Sequence, residues 1–366
     1  MPATVLVTGV SHYLGARFAG ELVKHPGVGR VIGVDVVAPT HHLSGAEFVR
    51  ADIRNPAVGR LMSQASVDTV VHLAVSTSPP GGARVSQKEI NVIGTMQLLA
   101  ACQATESVRR IVLKSTGAVY GSSPKDPAMF TEEMSVRSSP RSGYVRDCLD
   151  VEGYVRGVGR RRPGVQVDIL RMANIVGPHL GTAFTDYFRR PFVAVPLGYD
   201  ARLQLLHEDD AVAALMLAST RPWASTARAA ANGSPAPGVE VINVAADGVL
   251  TLTQAARIVG RPVLPVPVAT GRLFGQLAQR ASLTEVSGEQ LDYLFWGRCL
   301  DTTRMRSVLG LNPTYTTREA FADFAHNLGE AFPGSRALGH WADSVVDSVI
   351  HRLDGPESMR RTVQGR

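Results

Sequence analysis

Apolar and polar positions in the first half of the chain form short apolar runs of strand length, separated by stretches with helical spacing. Thr4–Val7 reads as a strand and Tyr13–Lys24 as a helix. Arg30–Val34 is a second strand, Glu47–Val49 a short third, and Val67–His72 a fourth. Glu89–Cys102 is helical, with Ile90, Ile93, Leu98 and Ala101 near helical spacing. Arg110–Leu113 is a fifth strand, Ser142–Arg160 a helix and Val165–Leu170 a sixth strand. The strands are apolar and alternate with helices. That pattern predicts βαβ units and a mostly parallel sheet covered on both faces.

After about Pro178 the pattern fragments. Pro191, Pro196 and Gly198 punctuate it, and a helix follows at Ala211–Ala218, with Asp209 or Asp210 as its natural cap. Arg221–Gly238, rich in Ala, Ser, Pro and Gly, reads as a mobile surface loop. Val241–Val244 is another strand, Thr251 or Thr253 starts a helix, and Pro262–Pro267 is extended. Thr302–Leu309 is a helix closed by Gly310, with Pro313 beyond it. The tail from about Gly334 reads as helical, amphipathic near Trp341–Leu353, as a packing helix or dimer contact. The expected division is a dinucleotide-type domain over 1–178, whose last parts (200–220 and 240–246) interleave with a second lobe over 179–330, then a helical tail over 331–366.

Composition narrows the class. With 366 residues, 45% hydrophobic and 19% charged, the chain is neither disordered nor a disulfide scaffold. Cys102, Cys148 and Cys299 lie too far apart for a CxxC metal site, so no metal is expected and a reducing cytoplasm is the expected home. The net charge of +6 rests partly on Arg156, Arg160, Arg161 and Arg162 and on Arg360, Arg361 and Arg366. No nucleic-acid motif or aromatic interleaving accompanies them. They read as solvated faces rather than a nucleic-acid surface. The apolar run from Val5 has no charged segment before it and is interrupted by Gly9, so it is not read as a signal peptide. No apolar run approaches the roughly 20 residues that span a bilayer.

The sharpest local chemistry lies at Val5-Leu-Val-Thr-Gly-Val-Ser-His-Tyr-Leu-Gly15, which runs strand, glycine turn, helix start. Such a turn aims backbone N–H groups and the positive helix end at a pyrophosphate. Gly9 permits the tight turn and Gly15 close helix–sheet packing, while Tyr13 and Leu14 open the helix. His12 stands where a middle glycine would give phosphate its closest approach, as a solvated loop residue or as a phosphate contact. Two glycines six apart also suit a purely structural turn. Asp35 ends the second strand, where a carboxylate accepts hydrogen bonds from adenosine ribose hydroxyls and repels a 2′-phosphate. That register argues for NAD over NADP, against the alternative that Asp35 starts a turn.

These residues resemble the extended short-chain dehydrogenase/reductase family in its NAD-dependent epimerase/dehydratase branch, over roughly residues 3–325. Thr8–Gly15 looks like TGxxGxxG, Asp52-Ile53 like the acidic-aliphatic pair beside the adenine, and His72-Leu73-Ala74 like HxA. Asn91–Thr95 resembles NxxGT, Ser115–Gly121 resembles SSxxVYG, and Leu170–Pro178 resembles LRxxNxxGP. Leu205–Asp210 resembles IHVDD, and Asp301 with Leu309-Gly310 and Pro313 the closing LGxxP helix. Within the branch the chain looks most like UDP-glucose 4-epimerase-like proteins of actinobacteria. The resemblance implies a Rossmann-type doubly wound α/β fold with a smaller C-terminal α/β lobe that closes over a nucleotide-sugar. It implies NAD as cofactor, held by Gly9, His12, Tyr13, Leu14, Gly15, Asp35, Asp52, Ile53, Leu73 and Ala74. It implies Thr116 as the hydroxyl that bonds the reacting sugar oxygen, Tyr144 as general acid/base, and Asn174 as a diphosphate contact. Tyr120 is read as a structural residue lining the site. A homodimer through a helix bundle is implied as well.

One departure bears on the chemistry. A phenol with pKa near 10 is a poor base at neutral pH, and the family supplies a lysine one turn after the tyrosine, YxxxK. Here position 148 faces the same side as Tyr144 but is Cys148. Three readings follow. The enzyme works with a weakened base; another cation substitutes, with Lys114 sharing strand parity with Thr116; or the protein is a silent NAD-binding scaffold or sensor. Against the second stands the habit of strand-end lysines to snorkel outward. Cys148 itself reads as a packed thiol, since no activating base is visible. A second departure is Leu203 where the family has a phosphate-binding arginine. Arg202 is one position earlier, which turns it to the other strand face. His207 and Asp210 read as structural. The leading expectation is a UDP-hexose 4-epimerase working by transient oxidation of a sugar hydroxyl.

Overall fold

The computed structural model describes residues 2–75, 88–121, 123, 125–134, 143–222, 238–266, 294 and 296–328. Most of the segment 221–238, Pro267 and the tail from Gly334 therefore lie outside the described residues. Seven parallel strands form the main sheet: β1 (Ala3–Thr8), β2 (Val28–Asp35), β3 (Glu47–Arg50), β4 (Thr69–His72), β5 (Arg110–Thr116), β7 (Gln166–Met172) and β12 (Val239–Val244). Their spatial order is β12-β7-β5-β4-β1-β2-β3. The order reverses between β1 and β4, and in such sheets ligands bind at that crevice, outside the carboxyl ends of the strands. This is the doubly wound Rossmann-type arrangement that the resemblance implies, built on the parallel sheet expected from the alternation.

Burial explains why these runs become strands. All seven residues of β7 and all six of β12 are buried, as expected for strands covered on both faces. Helix α1 (Tyr13–Val23) presses Leu14, Phe18 and Leu22 onto the sheet, each contributing about 1.5–3 kcal/mol through burial. Helix α4 (Tyr144–Arg161) does the same with Val151, Val155 and Val158. The helix expected over Glu89–Cys102 opens as a single π-type turn, Glu89–Ile93, and continues as α3 (Gly94–Ala104).

A second core gathers Phe184, Phe188, Leu205, Leu252, Phe321 and Phe324, with the Phe188 and Phe321 rings 4.9 Å apart. Around it lie two-stranded pieces: β8 (Asn174–Val176) with β11 (Leu205–His207), β9 (Val193–Pro196) with β14 (Val263–Val266), and β10 (Arg202–Leu203) with β13 (Leu250–Thr251). A further pair, β6 (Met129–Phe130) with β15 (Cys299–Leu300), was not expected from the sequence. Thr251 caps its helix with a full capping box. Gly310, left-handed at φ 71°, closes the turn Met305–Leu309, with Leu311 N–H donating back to the Met305 carbonyl.

The cap expected at Asp209 or Asp210 is corrected. Helix α6 (Glu208–Thr220) starts three residues before Ala211 and is capped by His207, whose Nδ1 accepts from the Asp209 N–H at 3.1 Å. The imidazole can serve because Tyr315 stacks on it at 3.7 Å and Asp323 takes its Nε2 at 3.0 Å. Asp210 instead accepts the backbone N–H groups of Thr314 and Tyr315.

Candidate functional site

The glycine turn lies at the reversal of strand order. Gly9 is left-handed at φ 83°, and a Cβ there would stand 2.8 Å from the Leu73 carbonyl carbon. A Cβ on Gly15 would run into the Gly9 carbonyl oxygen. Neither position admits a side chain, and the turn is closed from outside. The Asp35 carboxylate accepts Ser11 N–H at 2.9 Å on one oxygen and Val36 N–H at 2.8 Å on the other. His12 has an ordinary extended backbone, φ −89°, so the position needs no glycine, and its side chain is exposed rather than folded into the turn.

The first N–H groups of α1 have no carbonyl within the helix to accept them. Leu14 is buried in the core. The Tyr13 side chain turns away, its hydroxyl donating to Glu208 at 3.0 Å and its ring stacked on His179. These residues therefore meet the crevice with their backbones. The Ser11 hydroxyl is buried and without a partner among the described residues. A turn bounded by two glycines that admit no Cβ, an unpartnered hydroxyl and a carboxylate at the second strand fit the diphosphate and ribose of an adenine dinucleotide.

A buried knot holds this turn to its neighbours. Thr95 Oγ1 donates to the Asn91 carbonyl, so it accepts from His72 Nε2 at 2.8 Å. His72 Nδ1 then accepts from the Thr8 hydroxyl at 2.7 Å, and Thr8 Oγ1 in turn accepts Leu73 N–H. One tautomer satisfies every member. Burial, followed by the charge of Lys114, lowers the His72 pKa to about 4, so the ring stays neutral. Leu73 and Ala74 follow directly and wall the turn at Gly9. Asp52 is drawn aside by Arg54, at 2.6 Å, which holds the carboxyl below its usual range. Ile53 packs against Gly94, where a Cβ would come within 2.9 Å of it.

Across the crevice lie the end of β5 and the start of α4. Thr116 ends β5, and its hydroxyl accepts Ala118 N–H at 3.1 Å. Tyr144 opens α4 directly after Gly143, which is left-handed at φ 91°. Helix α4 is fixed by Glu152, which accepts from Ser115 on β5 at 2.6 Å and from Arg171 on β7 at 2.7 and 3.0 Å. Burial opposes the charge on Glu152, but Arg171, Ser115 and Arg156 outweigh it and hold the carboxyl below its ordinary value. Asn91 donates to Asp147 at 3.1 Å and ties the π-type turn to the same helix. Tyr120 is buried, bonded to Asn243 at 2.7 Å, with the Arg171 guanidinium 4.7 Å over its ring.

Tyr144 and Cys148 stand one turn apart on α4. Burial, then the neighbouring thiol, raises the phenol well above 10. Burial likewise pushes the Cys148 thiol up to about 12. Lys114, half-buried two residues before Thr116, has Cys148 and His72 as its titratable neighbours. The strand expected to end at Leu113 thus runs on through Thr116 and carries polar groups into the crevice.

On the far side, Asn174 starts β8 opposite Leu205, half-buried. Arg202 is exposed and Leu203 buried, as the one-residue shift requires. Sequence reasoning missed the Glu152–Arg171–Ser115 clamp and the Tyr13–Glu208–His179 cluster. Matching strand parity at 115 and 171 was the available signal for the first. Among the described residues no cluster of His, Cys, Asp or Glu could hold a metal ion, and no helix is long and apolar enough to cross a membrane.

Comparison with known proteins agrees with this geometry. A model of the NAD dependent epimerase/dehydratase family matches residues 5–245. An uncharacterised Mycobacterium tuberculosis protein is 46% identical over 333 residues, 90% of this chain and 85% of that one. Among solved structures, MoeE5 in complex with UDP-glucuronic acid and NAD has a TM-score of 0.68 at 20% identity, covering 90% of this chain and all of that one. The UDP-glucose 4-epimerase of Thermotoga maritima, solved with UDP-glucose, has a TM-score of 0.65 at 21% identity, covering 88% and 98%. At those identities the likeness establishes the fold.

Proposed function

The chain belongs to the NAD dependent epimerase/dehydratase family, and on that premise we propose that it is an NAD-dependent sugar-nucleotide oxidoreductase whose reaction is UDP-hexose 4-epimerisation. The observation that carries this reading is the pairing of two half-sites at the carboxyl end of one sheet. One is a glycine-bounded turn tied to Asp35; the other is Tyr144 at the start of α4, with Thr116 at the end of β5. Solved relatives of the same fold are described as UDP-sugar enzymes, which supports the substrate class.

NAD, when bound, would supply the hydride acceptor and donor for the sugar carbinol carbon. The Asp35 carboxylate accepts hydrogen bonds from the adenosine ribose, and the Gly9–Gly15 turn and the start of α1 hold the diphosphate. Thr116 orients the sugar hydroxyl. Tyr144 takes its proton and gives it back, and Asn174 donates to the substrate diphosphate. The buried phenol needs positive charge close by to lose its proton at neutral pH, and the oxidised nicotinamide ring is one source.

Tyr144→Phe should remove interconversion of UDP-glucose and UDP-galactose, a loss of at least about 10²-fold, while NAD still binds. Unchanged turnover in that variant overturns the assignment. A second reading has its own observation. With Cys148 at the helix position and the phenol raised by burial, the protein binds NAD as a scaffold or sensor without turnover. Cys148→Lys separates the two, raising the rate of an enzyme with a weakened base and leaving a silent protein silent.

A further inference from the structure

A short segment of the second lobe, residues 297–301, reaches back to the turn that follows Thr116. On one side it lies against β10. Arg298 forms a parallel bridge with Leu203, and a Cβ on Gly297, left-handed at φ 57°, would run into the Arg202 carbonyl oxygen. Leu203 and Leu205 belong to the second core, whereas Leu300 is buried in the first. Between Leu203 and Leu300 the molecule therefore crosses from one core to the other.

Gln204, buried between β10 and β11, joins the two sides. Its Oε1 accepts the Leu300 N–H at 2.6 Å, and its Nε2 donates to the Ala246 carbonyl at 2.9 Å. The Ala246 N–H donates in turn to the Leu205 carbonyl at 2.8 Å. Both ends of one amide are in use, and a buried donor or acceptor that loses its partner is costly. Two ties then run to the turn Gly117–Tyr120. At its first residue the Leu300 side chain fills the space beside Gly117, where a Cβ would stand 3.0 Å from Leu300 Cδ1. At its last, Tyr120 stacks on Phe130 with ring centres 5.0 Å apart, and the Phe130 carbonyl accepts the Asp301 N–H at 2.8 Å. Asn243 donates to the same carbonyl at 3.1 Å and accepts the Tyr120 hydroxyl at 2.7 Å. The Thr116 hydroxyl accepts Ala118 N–H inside this turn, so Leu300 and Asp301 help to place it.

We propose that Gln204 is a positioning residue that makes the placement of Thr116 depend on the diphosphate end of the substrate. The proposal rests on the functional reading above, in which Asn174 donates to that diphosphate. Asn174 pairs with Leu205, the residue after Gln204. A ligand that holds β8 against β11 fixes Gln204, Gln204 fixes Leu300, and Leu300 with Phe130 fixes the Thr116 turn. Binding energy from the non-reacting nucleotide is in this way used to orient the reacting hydroxyl.

UDP serves as the probe, because it lacks the sugar that Thr116 would touch. Amide hydrogen exchange is followed at Ala118 in the NAD-loaded protein, with and without saturating UDP. UDP should slow that exchange by at least about fivefold, the lower end of coupling between sites. Gln204→Met, which keeps the length of the side chain but neither hydrogen bond, should bind UDP and show no slowing. Gly117→Ala acts from the other end and should also abolish the slowing, and adding Leu300→Val should bring it back. Should Gln204→Met fold poorly, the Gly117→Ala pair decides. A purely structural loss would speed exchange equally with and without UDP, so the ratio of the two rates is the reading. UDP that binds the wild-type protein without slowing Ala118, or a slowing that persists in Gly117→Ala and in folded Gln204→Met, overturns this proposal alone. A wild-type protein that binds no UDP in calorimetry overturns the functional reading and this proposal with it.

Discussion

The two half-sites are built on opposite plans. On the coenzyme side the titratable side chains are satisfied within the protein, and the Ser11 hydroxyl is left without a partner among the described residues. His72 has both nitrogens bonded, Asp35 has both oxygens bonded, and the glycines leave no spare volume. On the proton-transfer side the fold leaves its chemistry unfinished. Burial raises the proton affinities of the Tyr144 phenol and the Cys148 thiol and lowers that of the Lys114 ammonium, and among the described residues none of the three has an ion pair with a carboxylate.

The largest effect should come from violating the first plan. Gly15→Ala places a methyl on the Gly9 carbonyl, and titration calorimetry with NAD should register no binding. Retained affinity would mean that the turn yields and that the contrast between the halves is weaker than the geometry implies. Next comes the clamp beneath the second half. Glu152→Gln leaves Arg171 buried with no ionic partner and should cost about 3–5 kcal/mol in urea unfolding. A loss under about 1 kcal/mol would show that α4 is held by its apolar face alone.

A smaller effect concerns pH. The folded pKa of His72 is lowered from 6.5 to about 4, so between those values the unfolded chain binds a proton that the folded chain refuses. Stability is full above pH 6.5 and falls as pH drops toward 4, by about 3 kcal/mol at most. His72→Gln should flatten that slope in thermal unfolding, and an unchanged slope would place the acid sensitivity elsewhere, with the buried carboxylates of α4.

The sheet was legible because its strands are unbroken apolar runs, a pattern that burial on both faces imposes. Strand ends were not. β5 was cut at Leu113 because Lys114, Ser115 and Thr116 are polar, yet these residues are extended for the very reason that they face the crevice and α4. The cap of α6 was misassigned because carboxylates are the usual caps. His207 wins only through Tyr315 and Asp323, more than a hundred residues away. The two-residue pairing of Met129–Phe130 with Cys299–Leu300 carries no periodicity at all. The spacing of Tyr144 and Cys148 could be read from the chain, as could the parity of Lys114 with Thr116. How α4 lies over β5, joined through Glu152 and Ser115, is encoded by no local pattern.

Glu208 has a consequence of its own. This almost fully buried carboxylate takes the hydroxyl of Tyr13, the residue that opens the coenzyme helix, and both the ring nitrogen and the backbone N–H of His179, just past the strand that bears Asn174. Gly177 between them admits no side chain because the same carboxylate fills the space. One acid therefore splices the two binding ends of the molecule. A ligand that orders one end through Glu208 should therefore change the affinity of the other end, by the same factor whichever ligand is loaded first.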